Sequence, residues 1–491
     1  MFGRVNMLRE ALYCVLLLFC VIVCATSRSR ATRQCVLVLS SFTLYLTWEY
    51  WFVVILLAST VLNFLVGKWL QRNPSGRVLS IGILLNLALL ASFKYLPEIS
   101  IAMPLSSLAR FSHLALPLGI SFWTFQAMSY LFDLYRGEEL NPTFVEFALY
   151  MAFFPVVLSG PICRMPEMLP QFRSQETTAW SNITRGFSRI ATGILMMQLA
   201  RLLGQGILSG DGINTGFDRL TQWSGLDVWC LAIGFGLQLF FDFAGYSHIA
   251  IGAALAMGFT IPENFSRPYH STAVSIFWTR WHMSLSFWIR DYVFLPLAVL
   301  RCEVWWRNLA LLVAMIIFGL WHKATLPFLL WGSYHGVLLV SHRQWQQVQR
   351  KFSWTTESAI WKPVSWAVTI VLVSLGWIFF RANSLLHVRQ MLQAVVSPGS
   401  YSTHYLSGSF YGLVATLAVG YAIVVFTIDA LNRSSKSVED GGRPGTPEII
   451  VAIARSRRLW VPPVYALTLL FVVIITHSRG ADAAQLMYRN F

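Results

Sequence analysis

Long apolar runs separated by short polar or basic stretches dominate this chain of 491 residues. Ala11 to Thr26, Val364 to Phe380 and Leu413 to Ile428 each approach the roughly 20 apolar residues a helix needs to cross a bilayer, with Arg or Lys near each run. Spans of this kind fall near 11–27, 35–47, 50–67, 78–95, 114–134, 143–160, 187–208, 227–257, 309–321, 326–341, 364–381, 409–430 and 460–476. Two blocks break the pattern. The 227–257 block carries Gly234, Gly236, Asp242 and Gly245, and the 270–300 block is dense in Trp and charge, so both are expected to be irregular or re-entrant. Such backbone survives at membrane depth only where protein buries it or where it lines a wet cavity. The segment 432–448, rich in Ser, Gly, Pro and charge, reads as a polar loop that isolates the final helix at 460–476. The pattern predicts an all-α polytopic membrane protein with roughly 11–13 transmembrane or re-entrant helices in a single membrane-embedded domain, 1–491.

Composition strengthens that picture. Apolar residues reach 56% and charged residues only 12%, about half the usual charged share, which excludes a disordered chain. The net charge of +15 lies in short loops between apolar segments, where anionic lipid headgroups and cytoplasmic retention of Lys and Arg account for it without a nucleic-acid partner. The seven cysteines include no C-x-x-C spacing, so neither a disulfide framework nor a zinc site is expected. Arg4 and Arg9 before an apolar run imitate a secretory signal, but the run is expected to remain as the first helix. A hairpin turning near Trp48 and Glu49 puts Arg28, Arg30 and Arg33 on the same side as Lys68, Arg72 and Arg77, the cytoplasmic side, with the N-terminus outside. Arg4 and Arg9 argue for the opposite orientation.

Ionisable side chains inside apolar segments are costly, so each is a functional candidate, with interhelical hydrogen bonding as the alternative. At helical spacing Gln238, Asp242 and Tyr246 stack on one face, either as structural polar glue or lining a cavity. Phe277 to Tyr292 sorts into an aromatic face of Phe277, Trp281, Leu285, Trp288 and Tyr292 and a polar face of Thr279, His282, Ser286 and Arg290. The polar face suits a tunnel wall; an interfacial helix with an aromatic belt fits the same pattern. In Gly319-Leu320-Trp321-His322-Lys323, His322 ends an apolar run, and Pro327 prevents one continuous helix. A neutral imidazole at such a break suits a general base toward a hydroxyl, or a packing histidine. Cys163 is expected to be a buried thiol rather than an acyl acceptor. No Walker loop, H-E-x-x-H, G-x-S-x-G elbow or convincing G-x-G-x-x-G is present.

These clusters, in this order, resemble the membrane-bound O-acyltransferase family, in its bacterial alginate O-acetylation branch. The resemblance rests on Leu116 to Phe122 with Tyr130 to Gly137, on Ser159 to Arg164, on Phe241 to Ser247, on Pro262 to Phe265 with Arg267-Pro268-Tyr269, and on Arg280 to Tyr292. Trp377 to Ala382 is similar to a segment of the alginate type rather than of the teichoic-acid D-alanylation type. The resemblance covers most of the chain from about Tyr45, with a family-type core at about 114–341.

The resemblance implies helices around a central tunnel, with His322 of the G-x-W-H motif as the catalytic histidine and His282 of R-W-H-x-S as a second functional one. Trp321, Asp242, Tyr246, Ser286, Arg290 and Lys323 are then the expected substrate or tunnel-lining residues. It further implies acetyl-CoA as acyl donor with no bound cofactor, and no metal is expected. An extracytoplasmic acyltransferase partner and a polysaccharide acceptor follow, as does a multi-pass location in a bacterial inner membrane. Two positions depart from the family: Lys323 stands where Gly is usual and His248 where Asp is usual. The rival readings are a transporter, which inverted repeats would favour, and a scaffold subunit of a polysaccharide-synthesis complex.

Overall fold

The computed structural model describes residues 2–97, 115–207, 212–219, 222–352 and 361–439, and the expected last helix at 460–476 lies outside them. Among the described residues every regular element is helical, and seven helices are long and apolar enough to cross a membrane. The chain divides into two compact units. Unit 1 comprises residues 1–190, 246–264 and 287–293, and unit 2 comprises 191–245, 265–286 and 294–491.

Unit 1 begins with α1 (Phe2–Thr26), α2 (Arg30–Leu46), α3 (Tyr50–Arg72) and α4 (Gly76–Lys94). Ser29 and Ser75 start α2 and α4 by accepting from the Thr32 and Arg77 backbone N–H groups, which satisfies donors a helix start leaves open. Reciprocal hydrogen bonds between Asn63 and Asn86, both buried, tie α3 to α4. α5 (Ile120–Tyr135) follows Gly119, whose φ of 75° and close approach to the Val157 carbonyl leave no room for a side chain. α6 (Phe144–Ala152) opens on a capping box between Thr143 and Glu146. The 143–160 stretch was expected to span; instead α6 stops at Ala152 and the chain turns through 154–160, because Pro155 cannot donate to a continuing helix. α7 (Met165–Arg173) completes the run.

Glu146, with no exposed side-chain surface, is bound by Arg30 and by Arg173, whose Nε donates to Oε1 at 3.0 Å and Nη2 to Oε2 at 3.1 Å. Burial alone would raise its carboxyl pKa, but the Arg173 hydrogen bonds, the Thr143 N–H and both guanidinium charges hold it down at about 2. Arg173 also reaches the Asn141 carbonyl and Lys68 the Asn141 side chain, so the two basic loops of the expected hairpin gather at one end of this unit.

α8 (Trp180–Gln205) and α10 (Gly225–Ala256) each contribute to both units, with the short α9 (Ile213–Arg219) between them. The expected irregular segment at 227–257 is thus one continuous helix of 32 residues. Its glycines serve close packing rather than breaks: a Cβ on Gly236 would lie 2.7 Å from the Trp377 indole nitrogen, and one on Gly252 would meet the Gly186 carbonyl at 2.6 Å.

The 270–300 block is irregular, as expected, but the helical spacing used to sort 277–292 into two faces does not run through it. α11 (Val274–Trp278) ends in a turn, His282 takes a left-handed φ of 44°, and α12 (Met283–Ile289) restarts the helix, followed by a π-helical turn over Arg290–Phe294 and then α13 (Leu295–Ala298). The two faces read from the sequence therefore do not continue through His282. In unit 2, α14 (Val304–His322) and α15 (Leu326–Lys351) form the most extensive helix pair. Gly319 faces the Phe328 carbonyl at 2.3 Å and Gly332 the Met315 carbonyl at 2.4 Å from an added Cβ, so only glycine lets the two backbones meet this closely. That contact fixes the end of α14, where His322 sits. α16 (Trp361–Arg381), α17 (Leu385–Val396) and α18 (Gly408–Glu439) follow. α18 runs on into the segment expected as a polar loop, of which residues after 439 lie outside the description.

Candidate active site

His322 is 7% exposed and sits inside a box of aromatic rings. Phe318 stacks on it at 5.5 Å and 21°, Trp331 and Phe380 meet it edge-on at 5.5 and 5.0 Å, and Trp321 packs at 4.7 Å. Phe318 reaches His322 by its i−4 spacing on α14, Trp321 is the preceding residue, and Trp331 comes from α15 in the tight α14–α15 hairpin. The extended backbone of Lys323 (φ −157°, ψ 136°) ends the helix directly after the histidine.

A cavity of about 810 Å³ in unit 2 reaches this box, since Phe328 and Phe380 line the cavity and also pack against His322. Its wall carries three cations, Arg201, Lys323 and Arg381, against two carboxylates, Asp218 and Asp242, with Asn214, Gln238 and Asn383 between them. Asp218 accepts from Arg381 at 3.3 Å and from Asn383 at 3.0 Å. A polar space with three cations on its wall, separated from a buried imidazole by shared aromatic rings, suits an anionic or phosphate-bearing substrate with a reactive group directed toward the histidine.

Trp321 is shared by both candidate histidines: its ring lies 6.4 Å from that of His282 and 4.7 Å from that of His322, and His282 meets Phe243 edge-on at 4.6 Å. His282 is 1% exposed, and a left-handed backbone at a non-glycine residue costs on the order of 1–3 kcal/mol, a strain that clusters at functional sites. Of the expected tunnel residues, Asp242 and Lys323 line the cavity. Ser286 spends its hydroxyl on the Trp281 carbonyl at 2.9 Å. Tyr246 and Arg290 belong to unit 1, and Arg290 pairs with Asp291. Reading by motif missed Arg201, Asn214, Asp218, Arg381 and Asn383. Arg381 lay in a quoted segment, but nothing local marks Asp218 or Asn214 as its neighbours. No group of three or more metal-ligating side chains occurs among the described residues.

The departure at His248 has a local explanation. Its Nδ1 accepts from Arg189 Nε at 3.3 Å, while the two Arg189 terminal nitrogens grip both Glu263 oxygens. A neutral acceptor there leaves the bidentate pair intact.

The apolar helices define the class of a multi-pass helical membrane protein, with two buried histidines and a charged cavity as its candidate site. Residues 105–382 match the model of MBOAT, the membrane-bound O-acyltransferase family. The chain is 32% identical over 414 residues to the probable alginate O-acetylase AlgI of Pseudomonas syringae pv. tomato, covering 80% of this chain and 76% of that protein. It is 32% identical to the peptidoglycan O-acetyltransferase of Helicobacter pylori over 76% of this chain and 75% of that one. It is also 29% identical to the teichoic acid D-alanyltransferase of Bacillus subtilis, over 55% of this chain and 70% of that protein. This protein belongs to the membrane-bound O-acyltransferase family and is a multi-pass membrane protein.

Proposed function

We propose that this protein moves an acetyl group from cytoplasmic acetyl-CoA to a hydroxyl reached from outside, as the membrane step in O-acetylating an exopolysaccharide or another cell-surface glycan. His322 takes the hydroxyl proton as the oxygen attacks the thioester carbonyl carbon. The C–O bond forms, the C–S bond breaks, and the imidazolium returns its proton to the departing thiolate. His282, which shares Trp321 with His322, orients the donor carbonyl, and Asp242 and Lys323 order the cavity wall. The location of α14's C-terminus favours the transient imidazolium, since the helix dipole is negative there, and the aromatic faces around it add cation–π attraction.

The observation that carries this reading is the buried His322 in an aromatic box, two rings of which, Phe328 and Phe380, line the cavity. The acyl group and acceptor class follow from the relatives, two of which are named for O-acetylation and all three for cell-envelope or exopolysaccharide polymers. A separate extracytoplasmic acyltransferase carries the group onward to the polymer, and the inner membrane is the proposed location. The test is purified full-length protein in proteoliposomes with radiolabelled acetyl-CoA, scoring coenzyme A release and label transfer. Donor turnover that His322→Ala abolishes supports the reading. Wild-type turnover in that variant, or no turnover in the native protein with its acceptor supplied, overturns it.

A further inference from the structure

A second charged cluster lies in unit 1, and nothing in the acyl-transfer chemistry above uses it. It forms around the π-helical turn at Arg290–Phe294, a backbone form found mostly as single turns at functional sites. Asp291 is its centre. Arg290 Nε and Nη2 donate to the two Asp291 carboxylate oxygens at 2.6 and 3.2 Å, Arg164 Nη2 donates to Oδ2 at 2.7 Å, and Arg136 Nη2 donates to the Asp291 carbonyl at 2.6 Å. The Tyr292 ring has one guanidinium at 5.0 Å, Arg136, and another at 5.1 Å, Arg164. The Tyr292 hydroxyl donates to Asp133 Oδ1 at 2.7 Å.

The donor arithmetic is unbalanced. Three guanidinium groups carry about fifteen N–H donors, and the bonds to Asp291 occupy four of them. Three guanidinium charges face the carboxylates of Asp291, Asp133 and Glu138, the last of which also acts on Asp133, so the surplus is one of N–H donors rather than of charge. A clasp built only to hold the π turn would not need that surplus. Burial tells the same story: the Arg164 side chain is 25% exposed and that of Arg290 52% exposed, so the spare donors of a half-buried and a surface guanidinium are open to one solvent-facing patch. Planar guanidinium forks bind phosphate oxygens two at a time, and here two forks are held by the Asp291 carboxylate and the third by its main-chain carbonyl, which orients them in advance and removes part of the ordering cost of binding.

We propose that Arg136, Arg164 and Arg290, held by Asp291, form a binding site for a phosphate group. Asp291 positions the forks and is not itself a ligand. The group is carried either by a soluble nucleotide, such as the phosphorylated adenosine part of an acyl donor, or by an anionic phospholipid headgroup. The proposal does not depend on the role assigned to His322.

The experiment uses the full chain in detergent and in nanodiscs. Adenosine 3′,5′-bisphosphate is the nucleotide probe, followed by equilibrium dialysis. Phosphatidylglycerol against phosphatidylcholine is the lipid probe, followed by retention in native mass spectrometry. Arg136→Gln/Arg290→Gln removes two surface forks while sparing the more buried Arg164, and Arg72→Gln, an exposed arginine at the end of α3, is the control. The expected result is saturable, salt-sensitive binding of one probe that the double variant weakens at least tenfold and the control leaves unchanged. Loss of nucleotide binding assigns the phosphate to a soluble donor, and loss of phosphatidylglycerol retention assigns it to a lipid. If the Gln pair unfolds, Arg136→Lys/Arg290→Lys keeps the charge and loses the forks, and a fall of at least threefold in a folded protein is expected. Equal binding of both probes by wild type and a folded variant, or saturable binding of neither, overturns the proposal.

Discussion

Glu146 in unit 1 and His322 in unit 2 are both buried ionisable groups, yet their surroundings are opposite. Glu146 is met by two arginines and a backbone N–H, which satisfy its charge. His322 is packed among aromatic rings, two of which also line a cavity whose wall carries charged side chains. Buried charges are tolerated when paired and hydrogen-bonded, so the first arrangement holds a structure together. The second sets an imidazole among ring faces beside a polar cavity, where a proton taken up during a reaction would meet cation–π attraction, which suits a base. The difference separates burial that stabilises from burial that prepares a group for chemistry.

The widest separation between the two should come from deletion. His322→Ala should reduce acyl transfer by about 100-fold or more, the usual share of a general base, while the detergent unfolding midpoint stays within about 2 °C of wild type. Glu146→Ala should do the reverse. It leaves two arginines facing each other without their carboxylate, and because both are partly exposed the cost is set at about 2 kcal/mol, below that of a fully buried broken pair. The midpoint should then fall by roughly 4–8 °C, with activity per folded molecule retained. A His322→Ala protein that fails to fold, or a Glu146→Ala protein that folds normally but is inactive, would erase the distinction.

Acid should reveal the same contrast. The folded pKa of Glu146 is depressed to about 2 from an ordinary 4.5, so its contribution is fully present above about 4.5 and is lost as pH falls toward 2. Unfolding midpoints measured from pH 6 to 3 should drop more steeply in wild type than in Glu146→Gln, which has no such proton to take up. Parallel curves would remove Glu146 from the charge clasp.

The legibility of these two regions differs for physical reasons. Hydropathy located α1 to α4 because lipid-facing helices must be apolar over most of their length. It read Gly234, Gly236 and Gly245 as breaks in what is one helix, since a glycine that admits Trp377 against the backbone looks the same in sequence as one that ends a helix. The density of Trp and charge marked 270–300 as irregular, but the helical sorting of 277–292 into two faces ran straight through His282, because the turn there leaves no proline or glycine signal. His322 was legible from its motif and its helix break. The cavity wall was not, because Asp218 and Arg381, 163 positions apart in sequence, meet only through tertiary packing.

A smaller effect tests how far the charged wall matters to the buried base. Lys323 lines the cavity immediately after His322. If it serves as a point charge for an anionic group of the substrate, Lys323→Gly should raise the donor's KM about threefold to tenfold, with a smaller change in kcat. A change in kcat alone would move Lys323 from substrate binding to the reaction centre, and a variant unchanged in both would return it to the surface.

The smallest expected effect comes from restoring the usual family residue at position 248. His248 accepts one hydrogen bond from Arg189, and Arg189 holds Glu263 with its other two nitrogens. His248→Asp introduces a carboxylate on the same guanidinium, so it gains a charge-assisted bond and at the same time competes with Glu263. The Glu263 side chain is 49% exposed, so water and salt screen most of the repulsion between the two carboxylates. The net change should stay within about 1 kcal/mol, and transfer activity should be unaltered, because this arginine lies in unit 1 and lines no part of the cavity. The sign can be read from a pair of variants. If competition dominates, His248→Asp is slightly destabilising and adding Glu263→Gln recovers the loss. If the new bond dominates, the single variant is the more stable protein and Glu263→Gln adds nothing. A drop in activity without a change in unfolding midpoint would instead tie this arginine to the reaction, contrary to the contrast between a satisfied clasp and a prepared base.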